Sequence, residues 1–352
     1  MRRRTTALLA AALISAGAVA TAASAAGPPA PKTYGGAKVS AYATTGLLNV
    51  TSLAWDGSTA FAGSSGNSSK IPNGGLYVIK AGAGVKVSPP TVLFVGGVAW
   101  HDGALYLSDG ALVGGAPTWQ ISKWSGWTGA AFTSEKVIYT APTGFQGFNG
   151  IAFGADGRLY VGVDTGLLNG NDHGPASTSP DLYDILSMNT SGGALKVFAT
   201  GIRQPWQLAF APNSNSPFVS DLGQDSGAKN PPDFLLKVKA GQDYGFPQCN
   251  WTKATAKACK KAAKPFEMFT PHWNPMGLAI IGSTLYISSW IGPTDKGEGA
   301  VYATSLSGGK VKPVVTGLPF AADALAAHDG YLYAAGAAKE SDGAGLVYQI
   351  KP

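Results

Sequence analysis

The sequence predicts an all-β fold, a single six-bladed β-propeller, on three observations. One apolar hairpin pattern recurs six times along the chain. Charged residues make up only 13% of the 352 residues while glycine reaches 48, which indicates many tight turns between apolar strands. Finally, an isolated strand pattern near the N-terminus matches the one strand that the last repeat lacks.

The repeated unit is a short apolar strand, a turn and a second strand that carries an aromatic residue. Asp-Gly at several of the turns suits a tight hairpin, because glycine accepts a positive φ without steric cost. A third and a fourth strand pattern follow, and four short antiparallel strands repeated every ~40–50 residues are typical of propeller blades. The six copies begin at 53–55, 98–100, 151–153, 208–210, 278–280 and 324–326.

The sixth repeat reaches only its third strand, at 346–350, while an orphan strand pattern at 38–42 precedes the first repeat. We therefore expect the N-terminal strand to complete the last blade. Closure of this kind removes two unpaired sheet edges that would otherwise template aggregation. Longer insertions follow Val163 and separate Tyr244 from Pro275, and long loops on a rigid scaffold are where function concentrates.

The N-terminal segment has the order of a secretory signal. Arginines at 2–4 precede an apolar stretch at 7–20 and the small residues Ala23-Ser24-Ala25. We expect residues 1–26 to be a cleaved signal peptide, residues 27–352 to form one domain, and the protein to be secreted. The alternative is an uncleaved anchor, since the apolar run approaches the ~20 residues that a spanning helix needs.

Charge and cysteine content limit the partners. The formal charge of +6 includes the three leader arginines, so residues 27–352 carry +3, which is no nucleic-acid signature. The lysines clustered at 253–264 are typical of a solvated loop face. Cys249 and Cys259 lie in the same segment and predict one disulfide bond rather than a metal site. We expect a monomer that binds neither nucleic acid nor, after cleavage, membrane.

Part of the second half resembles a known family. The stretch Gly-Ile-Arg-Gln-Pro-Trp-Gln-Leu-Ala-Phe at 201–210 is followed by Asp221, Pro232-Asp233 and a turn at 241–249 containing Tyr-Gly-Phe-Pro. In this order they resemble the soluble sugar dehydrogenases that depend on pyrroloquinoline quinone (PQQ), the glucose/sorbosone dehydrogenase family. The resemblance implies a six-bladed propeller with PQQ and Ca²⁺ at the channel mouth.

The resemblance also implies a cofactor-binding set. Arg203 matches the arginine of an Arg-Asn-Pro motif in which Gln204 here replaces asparagine, and Tyr244 and Phe246 match aromatics that pack near the cofactor. Asp221 belongs to the same set. From the residues alone, Arg203 could equally form a structural pair with Asp221, and the two aromatics could be packing residues.

The implied catalytic set departs from the family at two places. Gln146 stands where the family carries its catalytic histidine, and Phe320-Ala321 aligns with an Arg-Pro pair. An amide cannot accept an alcohol proton, so His272, before the fifth repeat, is the candidate substitute base. It could also be a histidine without chemistry. Lys296 lies close to the position of the family's lysine.

A metal site is suggested by the loop at 164–173. Asp164, Asn169 and Asp172 supply oxygen ligands of the kind that Ca²⁺ prefers. The same composition is typical of a polar turn-rich loop.

These observations predict a secreted, sugar dehydrogenase-like propeller with a degenerate catalytic set, acting on or binding a carbohydrate or another small molecule. Two alternatives remain open: a non-catalytic propeller that binds a glycan or a protein, and a Ca²⁺-dependent lactonase-like hydrolase. The hydrolase ranks last, because no carboxylate recurs at the inner strand of each repeat.

Overall fold

The structure is a computed structural model that describes residues 30–66, 73–165, 180–224, 231–270, 272–290, 298–338 and 343–352. These ranges contain β-strands and two short 3-10 helices, Lys253–Thr255 and Ala258–Lys261, and no α-helix. No helix in these ranges has the length and hydropathy to cross a membrane. The expected signal peptide, residues 1–26, lies outside the described residues, so it stays a prediction.

The strands are, in chain order, β1 (Lys32–Thr33), β2 (Lys38–Ala43), β3 (Val50–Asp56), β4 (Thr59–Ser64), β5 (Gly75–Lys80), β6 (Ala83–Lys86), β7 (Val92–His101), β8 (Ala104–Val113), β9 (Ala116–Trp127), β10 (Phe132–Thr140), β11 (Phe148–Phe153), β12 (Leu159–Val163), β13 (Ile185–Met188), β14 (Lys196–Ala199), β15 (Pro205–Ala209), β16 (Phe218–Asp221), β17 (Asp233–Lys237), β18 (Glu267–Phe269), β19 (Pro275–Ile281), β20 (Thr284–Ser289), β21 (Gly299–Ser305), β22 (Lys312–Leu318), β23 (Ala321–His328), β24 (Tyr331–Ala337) and β25 (Gly345–Lys351).

Six antiparallel sheets form the blades of a propeller, which confirms the predicted fold. Blades 1 to 5 each use four consecutive strands, starting at β3, β7, β11, β15 and β19, and blade 6 starts at β23. The first strand of each blade contacts the first strand of the next, and β23 contacts β3, so these strands close a ring around the central channel. Each also carries a register shift near its N-terminal end.

The N-terminal strand closes the ring as predicted. β2 pairs with β25 from Lys38 opposite Lys351 to Ala43 opposite Val347, and it supplies the fourth strand of blade 6. An additional short strand, β1, was not predicted and pairs with β22 at the edge of blade 5. The N-terminal segment therefore joins two adjacent blades.

Apolar side chains fill the spaces between the blades. Six buried clusters occur, one at each interface between neighbouring blades. Hydroxyl groups add hydrogen bonds near the channel: Ser108 donates to the carbonyl oxygen of Asn149 at 2.6 Å, and Ser288 donates to that of Ala322 at 2.7 Å. Each bond ties the second strand of one blade to the first strand of the next.

The insertion in blade 4, between β17 and β18, carries the two 3-10 helices. Cys249 and Cys259 form a disulfide bond within it, which confirms the predicted pairing. Both cysteines are buried, so the bond lies beneath the surface of the insertion.

Removing β2 should strongly destabilise the ring. A chain that begins at Thr44 lacks β1 and β2, so it exposes the backbone of β25 and part of the blade 6 core. We expect its melting temperature to fall by about 10 °C or more. A chain that begins at Tyr34, lacking β1 alone, is the control and should melt within a few degrees of the parent. Equal melting of the two truncations would show that β2 does not hold the ring.

Candidate functional site

The indole of Trp206, at the start of β15 in blade 4, links blade 4 to blade 6. Its Nε1 donates a hydrogen bond of 2.9 Å to the backbone carbonyl of Asp323 in blade 6. Because blade 5 lies between these two blades in the ring, the side chain has to pass in front of the innermost strand of blade 5 to reach that carbonyl. The loops that precede the innermost strands therefore surround a mouth whose floor includes this indole.

Hydrogen bonds join the mouth loops of blades 3 and 4. Gln204 Nε2, just before β15, donates to Asp164 Oδ1, just after β12, at 3.3 Å. The backbone N–H of Asp164 donates to the carbonyl of Gly147 at 2.8 Å, which brings Gln146 next to this pair. The structure therefore brings together three of the predicted site residues, namely Gln146, Asp164 and Gln204.

An aromatic side chain stands beside these polar groups. A Cβ added at Gly147 would lie 3.3 Å from Cζ2 of Trp119 and 3.4 Å from Cβ of Asp164, so the indole and the carboxylate border the same loop. Trp119, Asp164 and Gln146 are all half-buried. Trp119 could not be identified as a site residue from the sequence, because nothing in the chain around it connects it to a loop about thirty residues away.

His272 pairs with Asp233 at the channel mouth. The distance from His272 Nδ1 to Asp233 Oδ1 is 3.0 Å, and the Asp233 side chain is fully buried. The backbone N–H groups of Gly223, Trp273 and Asn274 also donate to that carboxylate, at 2.7, 2.6 and 2.7 Å. This arrangement fixes the imidazole ring and favours the proton on Nδ1, which makes Nε2 the basic nitrogen.

Asp233 was quoted in the family resemblance but not predicted as a site residue. Burial raises the pKa of this carboxyl, while His272 and the backbone N–H groups of Gly223, Asn274 and Trp273 lower it. A negative charge on Asp233 is thus balanced by the charge that His272 acquires on accepting a proton. The pair could not be found from spacing, because its two members come from different blades.

Arg203 faces the protein interior and is only 2% exposed. Its Nη1 donates to the carbonyls of Gly223 and Leu222 at 2.7 and 2.9 Å, and to Gln204 Oε1 at 3.1 Å. Burial raises the pKa of Asp221 to about 7, although the backbone N–H of Gln204 and the Arg203 charge oppose this shift. These contacts favour the structural alternative for Arg203.

Tyr244 and Phe246 lie between blades 3 and 4. The Tyr244 hydroxyl donates to the carbonyl of Lys237 at 2.7 Å, and the ring belongs to the buried cluster of that interface. Phe246 packs edge-to-face against Tyr183, with ring centroids 4.7 Å apart. Both line a cavity of about 10 Å³ with Arg203, which is room for about one water molecule.

The described ranges do not include every predicted residue. Asn169, Asp172 and Lys296 lie outside the described residues, and Phe320 is completely buried in the cluster between blades 5 and 6. Across the described ranges, no group of three or more His, Cys, Asp or Glu side chains is arranged to hold a metal ion. The calcium site proposed for the loop at 164–173 therefore stays a prediction.

The described residues do not fit PQQ and Ca²⁺ in the way that the resemblance implies. A quinone with several carboxylates needs cations and donors that face it. The Nη1 of Arg203 is taken by protein oxygens, and the Tyr244 hydroxyl bonds to the backbone of its own segment. The carbonyls of Leu222 and Gly223, which could hold a cation, face the guanidinium instead.

Asp109 is a second buried carboxyl that sequence reasoning missed. It pairs opposite Val95 in the ladder of blade 2, and it accepts hydrogen bonds of 2.7 Å from both Gln120 Nε2 and Ser122 Oγ. Burial raises its pKa to about 7, the two hydrogen bonds lower it, and Glu135 raises it further. The sequence signal is the Ser-Asp-Gly order within β8, which is typical of an ordinary turn.

No protein-family model matches the chain, and no curated protein matches it. Among solved structures, a Thermus thermophilus protein provisionally described as an oxidoreductase (glucose dehydrogenase) matches with a TM-score of 0.69 and 20% identity, over 90% of this chain and 100% of that one. A protein provisionally described as a gluconolactonase matches with a TM-score of 0.56 and 15% identity, over 90% of this chain and 93% of that one. At these identities the similarity shows the propeller fold alone.

Replacing Arg203 with leucine should destabilise the fold. The change leaves the carbonyls of Leu222 and Gly223 without their donor and strands a buried Asp221, so we expect a loss of about 3–5 kcal/mol in the free energy of unfolding. Urea denaturation without ligand measures it. Arg158→Leu is the control, because the partly buried Arg158 also donates to backbone carbonyls. Its expected loss in the free energy of unfolding is about 1 kcal/mol. A loss at Arg203 no larger than the control would contradict the structural role.

Asp109 should make stability fall as pH rises from about 4 to about 7. In this window the unfolded chain has released the Asp109 proton while the folded chain retains it. The free energy of unfolding therefore falls by up to about 1.4 kcal/mol per pH unit, and the contribution of Asp109 no longer changes above pH 7. Asp109→Asn removes this dependence. The difference in unfolding free energy between parent and variant should therefore change across the window. The exposed turn residue Asp329, changed to Asn, serves as control, and a pH-independent difference for Asp109→Asn would refute the assignment.

Proposed function

We propose that this protein is an exported carbohydrate-binding propeller of the sugar dehydrogenase-like type, with its ligand at the channel mouth. The observation that carries this proposal is the juxtaposition of Asp164, Gln204 and Gln146 with the Trp119 indole. Carboxylate and amide groups pair with ligand hydroxyls, and an aromatic ring covers the apolar face of a sugar. The floor formed by Trp206 favours a ligand that enters and leaves from one side.

The similar structures support the same chemical class. The names of the two proteins, glucose dehydrogenase and gluconolactonase, both refer to glucose or a compound derived from it. The family resemblance at 201–210 and 241–249 points the same way. Export is supported by the Cys249–Cys259 bond, because disulfides persist mainly in oxidising compartments.

Asp164→Asn tests the mouth. The variant keeps the side-chain shape but loses the charge, so each hydrogen bond from a ligand hydroxyl weakens. We expect titration calorimetry against a panel of neutral sugars to find at least one ligand for the parent, bound roughly tenfold more weakly by the variant. Purified protein without added cofactor is used, since binding does not require the quinone.

Gln349→Ala provides the matched control. Gln349 bonds to Tyr333 Oη in blade 6 and sits near the end of β25, away from the mouth loops. Its replacement should leave sugar affinity within twofold of the parent. Absence of binding for every sugar in the panel, or equal affinities for Asp164→Asn and the parent, would overturn the proposal.

The His272–Asp233 pair favours a second function, proton acceptance from a bound hydroxyl or water. Oxidation of the same sugars is followed by dye reduction with added quinone and Ca²⁺. Hydrolysis of sugar lactones is followed by the release of acid. If either activity appears, His272→Gln should lower its rate by about 10²–10⁴-fold, as the loss of a general base does. Activity that survives this change would exclude His272 as the base.

A further inference from the structure

The insertion in blade 4 carries a dense, uncompensated positive charge. Five lysines stand within residues 253–264, separated only by alanine, threonine and cysteine, and no acidic residue occurs between 244 and 266. All five side chains are exposed, and none forms an ion pair or hydrogen bond in the described part of the chain. We call residues 249–264 the lysine lobe. The lysines are Lys253, Lys257, Lys260, Lys261 and Lys264.

The lobe is held in place by buried contacts rather than being a loose loop. The Cys249–Cys259 bond closes it, and Trp251 packs against the buried cluster between blades 3 and 4. Asn250 Oδ1 accepts hydrogen bonds from the hydroxyls of Thr252 and Thr255 at 2.7 and 2.8 Å. A charged surface that is already fixed in one conformation loses less entropy when it binds.

The charge is concentrated here and not spread over the molecule. Residues 27–352 carry a formal charge of +3, so the five lysines of the lobe exceed the total and the remaining residues are net negative. Such an asymmetric distribution steers an anionic partner to one place. Repulsion among five neighbouring ammonium groups disfavours the empty lobe, and a polyanion relieves it.

The lobe also lies next to the mouth. Asn250 Nδ2 donates to Gln224 Oε1 at 2.6 Å, and Gln224 directly follows Gly223, which bonds to Asp233 of the mouth. A linear polymer held by the lobe would therefore run past the channel entrance.

We infer that the lysine lobe binds a linear acidic polysaccharide. The lobe contains no arginine, which is the residue that recognises phosphate by paired donors, and its one aromatic side chain, Trp251, packs against the core. Nucleic acid is therefore disfavoured, since single strands need exposed rings for stacking. The small residues between the lysines offer no apolar face for a membrane. Carboxylates spaced along a polymer can each be bound by a single point charge, which a lysine ammonium group supplies.

The test uses polygalacturonate, which carries one carboxylate on each sugar, immobilised for interferometry at low salt. The parent should bind it and not neutral dextran, and binding should weaken steeply as salt rises. The triple variant K257Q/K260Q/K261Q should bind at least ~10-fold more weakly. The control K136Q/K310Q/K312Q removes the same charge from exposed lysines outside the lobe and should stay within about twofold.

A third variant, K257R/K260R/K261R, keeps the charge and should retain affinity, and all variants should melt near the parent temperature. The lobe variant K257Q/K260Q/K261Q should keep the parent's affinity for the neutral sugar bound at the mouth, which separates the lobe from the sugar site. The inference is overturned if polygalacturonate does not bind, or if the lobe and control variants weaken binding equally. Tighter binding of single-stranded DNA or of anionic phosphatidylglycerol vesicles would overturn it in favour of another partner.

Discussion

Gly277, on the innermost strand of blade 5, approaches blade 6 so closely that an added Cβ would clash with the backbone nitrogen of Leu325. Gly97 and Gly150 make the same approach, with an added Cβ 2.7 Å from backbone atoms of blades 3 and 4 respectively. Because the neighbours are main-chain atoms, they cannot turn aside as a side chain would. These contacts set how near the innermost strands of neighbouring blades lie.

The register shift on each innermost strand occurs next to these contacts and gives the mouth its chemistry. Gln204 precedes the shifted strand of blade 4 and reaches Asp164, just after β12, while His272 precedes the shifted strand of blade 5 and reaches Asp233, at the start of β17. Each of these loops is anchored to a rigid strand at both ends. The polar groups of the mouth are therefore held in position before any ligand arrives.

The repeats allowed the fold to be predicted from the sequence, whereas the site depends on contacts that are not part of the repeated pattern. Strand patterns and Asp-Gly turns act over a few residues, so the blades and the closing role of β2 could be predicted. β1 has only two residues and no pattern, and it was missed. The pairing of His272 with Asp233 joins residues far apart in the chain. The resemblance placed Tyr244 beside a cofactor because it compares residue identities, which do not reveal that its hydroxyl is bonded to its own backbone.

On the second strand of each blade, one residue pairs with the innermost-strand residue that precedes the register shift. The identity of this residue differs among the blades, so one architecture holds different chemistry. The blades place Ser64, Asp109, Val163, Asp221, Ser289 and Ala337 there, in order. In blade 4 the carboxyl is balanced by a guanidinium and a backbone N–H, whereas in blade 2 the donors are an amide and a hydroxyl. The backbone that receives these residues is the same in each blade. Changes at this level therefore alter the polarity of the mouth without disturbing the glycine contacts that hold the ring, and the binding site can diverge while the propeller persists.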